Sequence, residues 1–354
     1  MQRIIAFVTL LTISIVQVPA AWAFETDQYN LPPVPLADIG DEVAEYTAEN
    51  IRAAVIKINK EIEERQKCLS RRCEAENTER LIYLRSDFAI AREVYKRLGY
   101  GIIAFAKAGS WMDSHRFRSQ PARFKTPYRH SIYASLSTNY FTISPTVNLY
   151  GTSLGTDKIA HFFQQGYTYY KVYTRELSKG STELDAREKA TAWGRMTEHT
   201  YYGTLVGGVF SNADLAANYA GMKFYEGLTR PVKIGGYIRP PTLVLKNGQW
   251  ALNEGELTQD NLLRPFITDH LNEALNPSVF APGLRSAVRG VVRKQSCSQW
   301  IALDPMRTKD DFERTTAELR LWHGEAYGFK VSTKFVTIAN TCFPEVNGRL
   351  SSDE

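Results

Sequence analysis

SNADLAANYAG, at residues 211–221, is the most informative stretch of this chain. Ser211 or Asn212 can cap a helix here, and Asp214 falls in the first turn, where a negative charge suits the helix dipole. Asp214 and Asn218 share one face, while the small residues around them let neighbouring backbones approach closely. An unpaired buried polar group costs roughly 1–3 kcal/mol, so this carboxylate and this amide need partners. The stretch therefore predicts a closely packed core that contains a polar site.

A second stretch, TDKIAHFFQQG at residues 156–166, offers those partners. Asp157 and His161 project from one face of a helix, and Lys158 lies next to them in the sequence. A carboxylate one turn from an imidazole can set its tautomer and raise its basicity, which general-base catalysis and metal ligation both require. The alternative is that Asp157 caps the helix and His161 is a core histidine with ordinary hydrogen bonds.

Apolar residues that recur at helical spacing predict the surrounding elements. Residues 41–67 and 74–98 are expected to form an antiparallel helical hairpin. The polar site is expected on three helices over residues 156–177, 183–202 and 212–227.

Strands and helices alternate in the C-terminal part. The Asn247-Gly248 pair predicts a hairpin turn between strands at 242–245 and 250–252. A helical region is expected from near residue 262, including the run DHLNE at 269–273, which we assign to a structural role with a site role as the alternative. The remaining expected elements are helices at 282–294 and 309–323 and a strand at 334–338.

These patterns predict a mainly α protein, with a multi-helix globular core, a small β-hairpin and loop-rich segments, stapled by two disulfide bonds. We divide it into a signal peptide over 1–23, an extended leader over 24–40 and a single mainly helical domain over 41–354. Within that domain we distinguish the helical hairpin (41–110), the polar-site helices (151–228) and the hairpin with C-terminal helices (229–354).

The first residues have the pattern of an export signal. Arg3 gives the positive start, residues 4–16 form a short apolar run, and Ala21-Trp22-Ala23 has the small-x-small pattern of a cleavage site. This run is shorter than the roughly 20 residues that span a bilayer, and no later stretch is long and apolar enough. We expect a periplasmic or secreted protein without a transmembrane segment in the mature chain.

The four cysteines form two pairs in the sequence, Cys68 with Cys73 and Cys297 with Cys342. An oxidising compartment favours a disulfide bond in each pair, and a zinc site is the alternative. The spacing of the first pair is not that of a Cys-x-x-Cys redox centre, which argues against thiol chemistry.

The charge of the chain is mildly basic. There are 43 Lys and Arg against 38 Asp and Glu, a formal charge of +5, which becomes +4 when the signal and its Arg3 are removed. This excess does not indicate nucleic-acid binding. Residues 114–156 contain no acid, and their cations can recognise an anionic ligand; the alternative is that they pair with acids elsewhere or stay solvated. These cations are Arg116, Arg118, Arg123, Lys125 and Arg129.

Glu198 is a further candidate acid. It follows the small and apolar run at 190–194, where burial would raise its pKa and make it a proton donor. The alternative is an ion pair with Arg195 on a solvated face. The candidate catalytic residues are thus Asp157, His161, Glu198 and Asp214. The candidate substrate-binding residues are Lys158, Gln165, Trp193, Tyr201 and Asn218.

The pattern Asp157-Lys158-x-x-His161-Phe162, followed by Asp214-Leu215-x-Ala217-Asn218-x-x-Gly221, resembles that of the VanZ-like family and a related group of small bacterial envelope lipoproteins of unassigned activity. The resemblance covers about residues 151–228. It implies an envelope-associated helical core in which Asp157, Lys158, His161, Asp214 and Asn218 cluster together. VanZ-like proteins are embedded in the membrane, whereas the helices of this chain are too polar to span a bilayer.

Two functions fit these residues, and the sequence leaves open whether the chain is an enzyme. The first is a hydrolase or lyase that acts on an envelope glycan or a lipid head group through a buried Asp/His/Glu cluster. The second is a non-catalytic periplasmic scaffold or binding protein whose polar cluster is structural. We assign no cofactor and no metal ligands. An envelope polymer or an anionic small ligand is the expected partner, nucleic acid is not, and the oligomeric state stays open.

Overall fold

The fold is mainly helical and contains only short strands. The computed structural model describes residues 25–69, 75–101, 106–134, 143–200, 203–205, 207–303 and 305–343. Its helices are α1 (Gly40–Leu69), α2 (Ala75–Leu84), α3 (Asp87–Leu98), α4 (Lys107–Ser114), α5 (Thr156–Ala160), α6 (Gly166–Ser178), α7 (Glu183–His199), α8 (Asn212–Glu226), α9 (Gln259–Leu262), α10 (Pro282–Gln295), α11 (Cys297–Ile301), α12 (Lys309–Glu318) and α13 (Ile338–Cys342). None of these described helices is both long and apolar enough to cross a membrane.

The strands form separate two-stranded pairs. The parallel pair joins β1 (Glu25–Thr26) to β2 (Ile143–Ser144). The antiparallel pairs are β3 (Thr146–Leu149) with β4 (Thr152–Gly155), β5 (Val209–Phe210) with β10 (Val279–Phe280), β6 (Val232–Ile234) with β7 (Tyr237–Arg239), and β8 (Leu243–Lys246) with β9 (Gln249–Leu252). The predicted hairpin is β8–β9, and its turn residues Asn247 and Gly248 have φ angles of 52° and 78°, as an Asn-Gly turn requires.

Helix α8 is the central element, because every one of its residues is buried. The Ser211 hydroxyl caps it by accepting a hydrogen bond from the backbone N–H of Asp214 at 3.0 Å. The small side chains explain how other helices pack around it on all sides. A Cβ placed on Gly166 of α6 would lie only 2.6 Å from the Cα of Gly221, so the two backbones nearly touch there.

The expected helix over 156–177 contains one irregular turn. His161–Gln165 is a π-helical turn between α5 and α6, in which the N–H of Gly166 bonds to the carbonyl of His161. The carbonyl of Phe163 instead accepts a hydrogen bond from the hydroxyl of Tyr225 on α8, at 2.8 Å. This turn lies at the contact with α8, where the irregular backbone finds partners outside its own helix.

The N-terminal hairpin differs from the sequence prediction in its second arm. Residues 75–98 form two helices, α2 and α3, because Ser86 interrupts the pattern: its hydroxyl accepts from the N–H of Ala89 and starts a new helix. The predicted bond between Cys68 and Cys73 lies outside the described residues and stays a prediction.

Two of the cations in residues 114–156 contact other parts of the protein. Arg118 pairs with Glu42 and Glu45 of α1, and Arg123 donates to the backbone carbonyl of Met112. The alternative of pairing with acids elsewhere in the chain therefore holds for Arg118, whereas Arg123 contacts a backbone carbonyl.

Two C-terminal predictions are wrong. The helical region from residue 262 is only α9 and two 3-10 turns, Arg264–Phe266 and Asp269–Leu271, since Pro265 lacks the N–H that a longer helix needs. The strand at 334–338 is reduced to a bridge between Ser278 and Val336, because Thr337 caps α13 directly afterwards.

The C-terminal helices α10 to α13 surround a separate apolar cluster that includes Val292, Trp300 and Phe312. The disulfide bond between Cys297 of α11 and Cys342 of α13 is present, as the sequence predicts. It is the one disulfide among the described residues.

Reduction of this bond is expected to lower the free energy of unfolding by about 2–4 kcal/mol. The physical reason is that the bond joins residues 45 positions apart and so restricts the unfolded chain. Urea unfolding with and without reductant measures the effect. A Cys297→Ala/Cys342→Ala variant, which leaves Cys68 and Cys73 in place, should lose a similar amount without reductant, and unchanged stability in that variant would contradict the prediction.

Candidate functional site

Lys158 is the centre of the predicted polar site. Its side chain is fully buried, and its Nζ lies 2.7 Å from Asp157 Oδ2, 2.5 Å from Asp214 Oδ1 and 2.5 Å from Glu273 Oε1. Lys158 donates hydrogen bonds to Asp157 and Asp214 and forms an ion pair with Glu273. We call Lys158, these carboxylates and the side chains bonded to them the Lys158 network.

Opposite charges hold Lys158 and Asp214 ionised. Burial alone would lower the pKa of Lys158, but Asp157, Asp214 and Glu273 outweigh it and keep this pKa well above its usual value. Burial would likewise raise the pKa of Asp214, yet His161 and Lys158 bring it below its usual value. A lysine that stays protonated cannot act as a base or a nucleophile, so Lys158 serves as a buried cation.

Hydroxyl groups fix the orientation of two of the carboxylates. Thr26 donates to Asp157 Oδ1 at 2.5 Å. Ser211 donates to Glu273 Oε1 at 2.5 Å, and Ser278 donates to Glu273 Oε2 at 2.8 Å. The network thus connects β1, α5, the start of α8 and the turn that precedes β10.

His161 is the part of the network nearest to solvent. Its Nε2 lies 3.4 Å from Asp214 Oδ2, its Nδ1 lies 3.1 Å from Asn218 Oδ1, and its side chain is 16% exposed. A carboxylate beside an imidazole is an arrangement that general acid–base catalysis uses. Both ring nitrogens face protein atoms, however, so a substrate must displace one contact before it can exchange a proton with the ring.

Glu198 is buried, as expected, but lies beside the network rather than in it. Its Oε1 accepts a hydrogen bond from the backbone N–H of Ser211 at 2.9 Å, and it forms no ion pair with Arg195. Burial raises the pKa of Glu198 well above its usual value, and the charge of Asp214 adds to this. The raised pKa favours the protonated form of Glu198, which an acid catalyst needs, but the side chain has no access to solvent.

Gln165 and Trp193, two of the other predicted contact residues, form no hydrogen bond or ion pair with the network. Gln165 is buried, and its Oε1 has no hydrogen-bond partner among the described residues. Trp193 packs edge-on against Tyr169, with ring centroids 6.2 Å apart. Tyr201 lies outside the described residues.

Sequence reasoning missed two carboxylates of this site. Glu273 belongs to the DHLNE run that was assigned a structural role, and its crowded polarity was the only available signal. Glu25 follows the predicted cleavage site, where no periodicity marks it. Burial raises the pKa of Glu25 well above its usual value, and the charge of Asp214 adds to this effect.

The rest of the DHLNE run is structural, as the sequence predicts for it. His270 Nε2 lies 3.0 Å from the carbonyl oxygen of Leu321, and its Nδ1 lies 3.0 Å from the Thr268 hydroxyl. Burial lowers the pKa of His270 to about 4. The neutral ring therefore donates to Leu321 and accepts from Thr268, which ties this turn to the segment after α12.

A pocket of about 240 Å³ lies beside the network, at the end of α7. His199, Arg285, Lys330 and Lys334 give it four basic side chains, and Phe210 is among its apolar lining residues. As far as the chain is described, no carboxylate lines it. We call this the basic pocket.

Lys330 and His199 lie close together on one side of the basic pocket. Lys330 Nζ lies 3.5 Å from His199 Nε2 and 4.3 Å from the ring centroid of Phe210. Burial lowers the pKa of His199, and the charge of Lys330 lowers it further; burial also lowers the pKa of Lys330. A bound anion would raise the pKa of both His199 and Lys330, since a negative charge favours their charged forms.

Comparison with known proteins does not place the chain in a family. No family model, curated protein or solved structure matches it. The likeness to VanZ-like proteins therefore stays an expectation that the motif residues alone support.

Proposed function

We propose that this chain is an exported protein that binds an anionic ligand in the basic pocket, and that the Lys158 network stabilises the core beneath it. The observation that carries the proposal is the convergence of four basic side chains on one concave site without a lining carboxylate. The side chains come from α7, α10 and residues 330–334, so the fold and not a local run of charge brings them together.

The chemistry of the pocket favours a phosphate group as the anion. A guanidinium can bind two phosphate oxygens at once, and ammonium groups add point charges. Phe210 and Phe280 offer apolar surface to the remainder of the ligand. The volume of about 240 Å³ suits a small head group. A phosphorylated lipid head group is therefore the ligand class that we propose.

Helix α8 supports the pocket from below. The Asn212 side chain donates to the carbonyl of Pro277 at 2.6 Å and accepts from the N–H of Lys330 at 2.8 Å. These two bonds hold the segments on either side of the pocket to the start of α8. Ser211 and Asp214, in the same turn, belong to the Lys158 network. The first turn of α8 therefore contacts both the network and the segments that line the pocket.

Calorimetric titration with glycerol phosphate tests this function. We expect one molecule to bind, and Arg285→Met and Lys330→Met to weaken the affinity at least about tenfold each, because each removes a charge that faces the anion. Lys294→Met is the matched control, since Lys294 is exposed on α10 outside the pocket. Added salt should weaken binding.

Two results would refute the proposed ligand. One is the absence of binding to wild type at low ionic strength. The other is equal affinity in wild type, Arg285→Met and Lys330→Met, which would place the anion elsewhere on the surface.

The second candidate function is the hydrolase or lyase that acts on an envelope glycan or lipid head group. Its support is the contact of partly exposed His161 with Asp214, together with the raised pKa of buried Glu198. The burial of Asp157, Glu198 and Asp214 weighs against it, because a substrate must touch the groups that transfer protons. This reaction therefore requires the site to open before substrate binds.

A further inference from the structure

Glu25 is the unexplained group beside the Lys158 network. Its side chain is 1% exposed, and neither of its Oε atoms has a hydrogen-bond partner among the described residues. Buried carboxylates are paired with a cation, hydrogen-bonded, protonated or bound to a metal ion, because an isolated charge in the interior is very unfavourable. Something that the protein atoms do not supply must therefore compensate Glu25.

Lys158 is not that partner. Its Nζ donates to Asp157 and Asp214 and forms an ion pair with Glu273, but no hydrogen bond or ion pair joins it to Glu25. With Glu25 included, four buried carboxylates face one ammonium group, so with all four ionised the negative charge would exceed the positive charge of Lys158 by three.

The oxygen atoms around Glu25 have the spacing of a cation site. Glu25, Asp157 and Glu273 each offer one carboxylate oxygen, and these atoms lie within 4.8 Å of one another. Two oxygens that bind the same calcium ion at about 2.4 Å can lie at most about 4.8 Å apart. The hydroxyls of Thr26 and Ser278 already hold two of the three carboxylates in place.

We propose that Glu25, Asp157 and Glu273 bind one calcium ion. A divalent ion cancels two of the three excess charges and gives Glu25 the partner that it lacks. The donors are all oxygen atoms, which favours a hard cation over zinc or copper. Magnesium keeps several water molecules in most protein sites, whereas calcium accepts an irregular cage of protein oxygens, and this site is buried.

The ion would have a structural role in this position. Its three ligands come from β1, from α5 and from the turn before β10, which are far apart in the sequence. One ion would thus attach the first described strand to the two segments that build the Lys158 network. This site shares no residue with the basic pocket. The calcium proposal therefore does not depend on the proposed anionic ligand.

Terbium luminescence and metal analysis of the full chain test the proposal. After removal of metal with EDTA and dialysis into calcium, mass spectrometry should find one calcium per chain. Terbium, a calcium substitute, should emit when tyrosine is excited, because Tyr133 is buried beside Glu25. Saturating calcium should raise the melting temperature of the EDTA-treated protein by about 5 °C or more.

The Glu25→Gln variant distinguishes a bound calcium ion from a protonated Glu25. The variant keeps the shape of the side chain, so in EDTA it should be at least as stable as wild type, but its calcium affinity should fall at least about tenfold. Glu188→Gln, an exposed acid on α7, should leave affinity unchanged. Absence of stoichiometric calcium, or equal affinity in Glu25→Gln and wild type, would overturn the proposal in favour of a protonated Glu25. Tighter binding of magnesium than of calcium would overturn the choice of ion.

Discussion

A Lys158→Met variant is expected to lose about 3–5 kcal/mol of unfolding free energy. Methionine has a similar length but no charge, so Asp157, Asp214 and Glu273 would face one another without the ammonium that now contacts all three. The loss should be larger at pH 8 than at pH 5, because protonation of these carboxylates at lower pH removes part of the repulsion. Urea unfolding at both pH values measures it.

Two further variants identify the cause of this loss. Lys189→Met removes an exposed lysine from α7 and should change stability by less than about 0.5 kcal/mol. Asp214→Asn combined with Lys158→Met should be more stable than Lys158→Met alone, since it removes one unpaired carboxylate. If Lys158→Met were as stable as wild type, the network would not contribute to the stability of the core.

Gly221→Ala is expected to lower the free energy of unfolding by about 3 kcal/mol or more. An added Cβ would overlap the carbonyl oxygen of Phe162 and come within 2.9 Å of the Cα of Gly166. Backbone atoms cannot rotate away as a side chain can, so α8 must move away from the π-helical turn and α6. Differential scanning calorimetry should show a melting temperature that is lower by several degrees.

Gly290→Ala is the matched control for this variant. Gly290 lies inside α10, and a Cβ there meets no atom within 4 Å. The same substitution should therefore stabilise the protein by about 0.4–1 kcal/mol, because alanine favours the helix and restricts the unfolded chain. Equal effects of the two substitutions would show that the close approach at Gly221 is not the cause.

Local patterns were sufficient to predict the central helix and the hairpin. The cap at Ser211, the small residues after it and the Asn-Gly turn at 247–248 act through neighbours in the sequence, and the structure has α8 and β8–β9 where they indicate. The sequence predictions failed where a single residue interrupted a helix that the surrounding apolar pattern favoured. Ser86 divided one predicted helix, and Pro265 ended another.

The predicted site was incomplete for a different reason. Helical spacing placed Asp157 and Asp214 on buried faces and named Lys158 as a partner for Asp214, and the structure brings the three within hydrogen-bonding distance. Glu273 and Glu25 reach the same point from an irregular turn and a two-residue strand, and neither element has a periodicity that reports burial. Their contribution depends on contacts between distant segments, which a single sequence does not reveal.

The N-terminal segment has a consequence for how the polypeptide is made. The hydroxyl of Tyr29 donates to the carbonyl of Val336 at 2.9 Å, and the indole of Trp300 donates to the carbonyl of Tyr29 at 2.8 Å. The ribosome must therefore synthesise almost the entire polypeptide before these contacts can form. Until then Tyr29 lacks both of these partners, so the N-terminal segment can dock onto the C-terminal helices only late in synthesis.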